Sequence, residues 1–218
     1  MDVFIIGVTG KVGGLLAKQL LGRGDTVGGL VRTEAQQAEL ARQRIGSVVG
    51  DLATMNVDAL AAAFGDADAI VFAAGSNGGS PTVTASIDDE GVALATEAAI
   101  RARVDRLVLV SVLPESWRER ELGEEVEYYF AAKKRAEVVL TRSEMDWLIL
   151  RPSLLVDDPG IGTVSLGPAE LHDQITRADV AETISALLHE PGIGRQILEL
   201  NSGSTPIQAA VAAVVARH

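Results

Sequence analysis

Short unbroken apolar runs alternate along the chain with longer stretches in which apolar residues recur every three or four positions. The runs at 3–6, 26–31, 45–49, 69–74, 106–110, 147–150 and 196–200 read as strands, several of them apolar throughout, as strands covered on both faces are. The stretches ending near 21 and spanning 34–43, 57–64, 87–103, 126–143 and 178–188, with a last one from 206, read as helices. Strand followed by helix, repeated at this spacing, predicts right-handed βαβ units. The fold class is therefore α/β: a doubly wound, Rossmann-type parallel sheet with helices on both faces. No boundary signal divides the chain, so 1–218 is read as one domain, with about 152–218 forming a small C-terminal extension on the substrate side.

The first strand runs straight into Gly7-Val8-Thr9-Gly10-Lys11-Val12-Gly13, where the helical period begins. Glycine serves a different need at each position: a tight exit from the strand at Gly7, close approach of backbone to a pyrophosphate at Gly10, and close packing of helix on sheet at Gly13. Backbone N–H groups around Lys11 and Val12 would face the phosphates at the helix N-terminus. An ordinary glycine-rich turn has the same composition; what singles this one out is its place directly after a buried N-terminal strand. Its G-x-x-G-x-x-G spacing differs from the usual G-x-G-x-x-G fingerprint and points to a subclass.

Other strand ends carry further candidates. Where an NAD-binding unit commonly has an acid for the ribose 2′-hydroxyl, this chain has Arg32, whose guanidinium suits a 2′-phosphate, so NADP(H) is favoured over NAD(H). A solvated loop arginine is the alternative. Asp51 is placed to bond the adenine amino group or to cap a helix. Ala73, Ala74 and Gly75 are small enough for a cofactor to lie against the sheet, or they simply end the strand. Tyr129 and Lys133, four apart, share one helix face, whereas Tyr128 is followed at that spacing by Ala132. An ammonium beside the phenol is expected to lower its pKa and fit it for proton transfer.

The order of these features, a glycine turn after strand one, Ser111 closing strand five, Tyr129/Lys133 on the next helix and Arg151-Pro152 after strand six, resembles the short-chain dehydrogenase/reductase superfamily. The resemblance is to its atypical NAD(P)H-binding branch, which includes flavin/biliverdin reductase-like and NmrA-like proteins, and it covers essentially the whole chain. It implies that Gly7, Thr9, Gly10, Lys11, Val12 and Gly13 surround the pyrophosphate, that Arg32 meets the adenosine ribose, and that Asp51 and Leu52 lie at the adenine. It further implies that Ala73, Ala74 and Gly75 flank the cofactor, Lys133 binds the nicotinamide ribose, and Pro152 and Ser153 border the nicotinamide. In catalytic members Tyr129 would be the general acid/base and Ser111 would hydrogen-bond the substrate oxygen.

The 218 residues include no cysteine, which excludes disulfides, thiol nucleophiles and thiolate metal sites. His172, His189 and His218 are too scattered for ligand spacing, so no metal is expected. A net charge of −11 opposes phosphate-neutralising nucleic-acid binding. No apolar run approaches the roughly 20 residues of a membrane span, and a strand beginning at residue 3 leaves no room for a signal peptide, so a cytoplasmic protein is expected. Oligomeric state is not legible.

Three functions fit these residues: an NADPH-dependent oxidoreductase acting on a small carbonyl, quinone or flavin-like acceptor; a sugar-nucleotide epimerase or dehydratase, for which the C-terminal extension is short; and a non-catalytic NADP(H)-binding redox sensor. Between Ser111 and Tyr129, acids outnumber Arg118 and Arg120, and the resemblance places part of the substrate pocket there. A neutral or cationic substrate is the expectation.

Overall fold

Alternation within the apolar runs divides them between two cores. In β1 (Asp2–Ile6), Val3 and Ile5 turn to one face of the sheet and Phe4 and Ile6 to the other. The same split recurs in β4 (Ala69–Phe72), β5 (Arg106–Val110) and β6 (Asp146–Pro152), where residues on both faces are buried. One core is closed by α1 (Lys11–Arg23), α7 (Arg177–Leu188) and α8 (Ile207–Val215), the other by α3 (Val57–Phe64), α5 (Glu90–Ala102) and α6 (Glu124–Thr141). The computed structural model describes residues 1–76, 80–113 and 122–216.

The remaining elements are β2 (Thr26–Val31), α2 (Glu34–Arg42), β3 (Val48–Val49), α4 (Pro81–Thr84), β7 (Leu154–Val156), β8 (Thr163–Gly167), β9 (Gln174–Thr176), β10 (Gln196–Ser202) and β11 (Thr205–Pro206). The nine-stranded sheet has the order β11-β8-β10-β6-β5-β4-β1-β2-β3. From β10 to β3 every pairing is parallel; β8 and β11 continue the sheet antiparallel. A separate parallel pair joins β7 to β9. The chain builds outward from β1 to β3, then crosses to β4 and builds the other way. The strand order thus reverses between β1 and β4, and a crevice at such a reversal is where doubly wound sheets take ligands.

The doubly wound α/β reading matches this architecture, with four local differences. The strand expected over 45–49 shrinks to β3 because Arg44 has φ 62° and the Ile45 N–H bonds back to Leu40, so Ile45 is a buried residue that closes the turn after α2. The strand expected over 69–74 stops at Phe72; Ala73 still donates to Ile6, and the chain then turns past Gly7. The helix expected over 87–103 begins earlier, at Pro81, and passes through a π-helical turn, Ala85–Asp89, before α5. Within the extension, β7, β8, β9 and β11 were not predicted. At the opposite rim Arg106 pairs with Asp146 and donates to the carbonyls of Leu187 and Ile193, both at 2.9 Å, which ties down the end of α7.

Candidate functional site

The glycine turn lies at the reversal. Gly7 has φ 96°, and a β-carbon there would stand 2.6 Å from the Ala74 nitrogen and 2.8 Å from the Ala73 carbonyl carbon, so the exits of β1 and β4 pack backbone to backbone. A β-carbon on Gly13 would stand 2.2 Å from the Gly7 oxygen. Gly10 differs: it is exposed, caps α1 without a side-chain hydrogen bond, and a β-carbon there would come no nearer than 3.0 Å to protein. Thr9 and Lys11 are exposed beside it, Val12 is buried beneath, and the first turn of α1 carries no acid. The N–H groups of that turn are available to an anion.

These geometries separate two roles. Gly13→Ala is expected to cost about 1–3 kcal/mol of stability through overpacking, read by thermal melting. Gly10→Val should cost less stability than Gly13→Ala, since its β-carbon would meet only the Gly7 oxygen, at 3.0 Å, yet it should fail to bind nucleotide in calorimetry because its side chain would occupy the space above the turn.

The other candidates for the nucleotide line the same strand ends. Arg32 follows β2, exposed, its N–H bonded to Gln36 and its guanidinium without an ion pair among the described residues. One Asp51 carboxylate oxygen accepts from the Ala53 N–H at 3.0 Å, so it caps its own turn. Leu52 packs toward Gly91 of α5. Ala73, Ala74 and Gly75 follow β4, and a β-carbon on Gly75 would sit 3.2 Å from Asp88 and 3.7 Å from the Lys133 nitrogen. Pro152 and Ser153 are buried at the end of β6, with the Ser153 N–H on the Leu200 carbonyl.

Tyr129 and Lys133 meet as their spacing requires, the ammonium 5.7 Å from the ring centroid. A third member, which spacing along the helix does not single out, completes the group. Asp88, fully buried in the π-helical turn, sets its carboxylate 2.9 Å from the Lys133 nitrogen and accepts the Ser76 N–H with its other oxygen. The ammonium also reaches the Val110 carbonyl at 3.3 Å. Lys133 acts on the phenol in the expected, downward direction, but the net shift is the opposite of the one expected, and burial is its chief cause. Burial pushes the Tyr129 pKa up, Lys133 only partly offsets it, and Asp88 adds to the rise, leaving it above its ordinary value. For Lys133, burial works downward, but Tyr129 and Asp88 outweigh it and hold the ammonium charged.

Ser111 is buried and its hydroxyl is engaged elsewhere. Its hydroxyl donates to Glu137 at 2.8 Å, and Glu137 takes two further hydrogen bonds from Arg151, at 2.9 and 2.7 Å. Burial raises the Glu137 pKa, yet the bonds from Arg151 and Ser111 prevail and keep it below the usual carboxylate range. Glu137 stands four residues after Lys133 and eight after Tyr129, so its helix face was legible; its buried partners were not. Of the acidic stretch expected to shape the substrate pocket, 114–121 lie outside the described residues, while Glu124, Glu125 and Glu127 form the first turn of α6; 77–79 and His218 also lie outside the described residues. Among the described residues no His, Asp or Glu grouping is arranged to hold a metal, and no helix is long and apolar enough to cross a membrane.

A profile of the NAD(P)H-binding family matches residues 7–191. The chain belongs to the NAD(P)H-binding family. The matched span begins at Gly7 and takes in every candidate residue above. The chain is 36% identical to a protein of Bacillus subtilis named as an uncharacterized sugar epimerase, YhfK, over 97% of this chain and 99% of that one. Among solved structures, a Bacillus halodurans chain provisionally named an NAD-dependent epimerase/dehydratase superposes with a TM-score of 0.87 at 31% identity, covering 98% of this chain and 99% of that one. The anaerobillin reductase ChuY of Escherichia coli O157:H7 superposes at 0.77 with 26% identity, covering 94% and 98%. As a member of the NAD(P)H-binding family, the chain shares the Rossmann-type architecture of these structures.

Proposed function

We propose that the chain is an NADPH-dependent reductase of a small carbonyl, quinone or flavin-like acceptor. The observation that carries this reading is the Tyr129 hydroxyl: half-buried, without a hydrogen bond among the described residues, and one helical turn from a buried lysine. Bound NADPH supplies the hydride. The turn formed by Gly7, Thr9, Gly10, Lys11, Val12 and Gly13 holds the pyrophosphate, Arg32 the 2′-phosphate, and Asp51 with Leu52 borders the adenine. Ala73, Ala74 and Gly75 flank the dinucleotide, while Pro152 and Ser153 border the nicotinamide.

Lys133 holds the nicotinamide ribose, positioned by Asp88 and the Val110 carbonyl. Tyr129 donates a proton to the acceptor oxygen, a role that its raised pKa suits because the phenol stays protonated. Ser111 spends its single proton on Glu137, so toward an acceptor it offers lone pairs and orients a donor group. An epimerase, the activity in the Bacillus subtilis relative's name, needs the phenol first to remove a substrate proton, and the same raised pKa works against that. The resemblance of fold to ChuY supports the reductase reading.

The test is NADPH consumption against aldehydes, ketones, quinones and flavins, beside a panel of nucleotide sugars assayed for epimerisation. Turnover of a sugar without net NADPH loss would replace the reading with an epimerase; tight NADPH binding with no turnover of any acceptor would replace it with a sensor. For the cofactor, Arg32→Asp should weaken NADPH far more than NADH in equilibrium titrations. Equal binding of the two by the wild type, unchanged by the substitution, would remove Arg32 from the site.

A further inference from the structure

The strap that follows β7 reaches back to the glycine turn. Asp157 places one carboxylate oxygen 2.5 Å from the Lys11 nitrogen and the other 2.8 Å from an Arg177 nitrogen. One carboxylate thus bridges the first residue of α1 and the first residue of α7, two helices that pack side by side. Its partners hold it ionised, Lys11 chief among them. The two ends of the strap are fastened differently. At its far end the Ile161 and Gly162 N–H groups and the Thr176 hydroxyl all donate to Asp179, which is 1% exposed. At its near end Asp157 is 59% exposed and, among the described residues, held by the two cations alone, contacts that solvent and salt screen.

Two cations on the two oxygens of one carboxylate mark a place built for an anion with several acceptor oxygens. Lys11 adjoins the exposed Gly10, where the dinucleotide's pyrophosphate comes closest to backbone in the reading above, and this inference rests on that reading. We propose that Lys11 and Arg177 form a two-cation clamp for the pyrophosphate, and that the Asp157 carboxylate is the internal anion displaced when the dinucleotide binds. Arg177 thereby becomes a cofactor-positioning residue supplied by the C-terminal half of the chain. A diphosphate carries more charge and more acceptor oxygens than the carboxylate it replaces, and the guanidinium is suited to bind it through two N–H groups.

Arg177→Gln, Asp157→Asn and the double variant test this in titrations of the whole chain with NADPH, ADP-ribose and adenosine 2′-monophosphate at low and high salt. Arg177→Gln should weaken NADPH and ADP-ribose by roughly tenfold and leave adenosine 2′-monophosphate, which lacks a diphosphate, unchanged. Asp157→Asn should tighten NADPH by roughly two- to fivefold, the gain shrinking as salt rises. Wild-type NADPH affinity in Arg177→Gln, equal weakening of all three ligands, or looser NADPH binding in Asp157→Asn would each overturn the clamp while leaving the cofactor site intact. A lowered melting temperature with unchanged affinities would make Arg177 a structural tie and overturn it as well. A wild-type chain that binds neither NADPH nor NADH would instead remove the reading beneath it.

Discussion

Tyr129→Phe is expected to lower turnover of an aldehyde or ketone by about 10²-fold or more while leaving NADPH affinity near the wild-type value. The substitution keeps the ring over Lys133 and removes only the proton donor. Because burial and Asp88 raise the phenol's pKa, the wild-type reduction rate should show no downward limb from loss of this proton between pH 6 and about 10. A flavin or quinone can take the hydride while solvent supplies the proton, so on those acceptors the variant should be nearly silent. Steady-state kinetics on both classes are needed, and full activity of Tyr129→Phe on every acceptor would falsify its role as the acid.

Asp88→Leu is expected to cost about 3–5 kcal/mol of stability, because it strands the Lys133 ammonium in a site where the lysine side chain is 4% exposed and the aspartate 0%. Chemical denaturation reads the loss directly. Lys133→Met should be comparably damaging through the uncompensated carboxylate, whereas the double change Asp88→Leu/Lys133→Met, having no buried charge, should recover most of the stability and none of the activity. Single variants as stable as the wild type would show that the pair is open to water rather than a buried ion pair.

What could be read from the sequence was what local spacing controls. Gly7, Gly10 and Gly13 announce the turn because a backbone that must invert, stay bare and pack closely within seven residues admits little else. Tyr129 and Lys133 are found by counting four along a helix. Asp88 escaped because Asp89 and Glu90 follow it, and a π-helical turn changes which of the three faces inward. The use made of Ser111 depends on Glu137, 26 residues on, and the phenol's pKa depends on burial; neither is a property of spacing. In the extension, β7 and β9 are three residues long and β11 two, too short to show a period of two.

The sheet's two margins, β3 and β11, are each two residues long, and β11 ends in Pro206, which has no N–H to offer. A neighbouring molecule adding to either terminal strand therefore finds only a two-residue rail. Nine strands with such blunted margins resist fibrillar stacking in the native state.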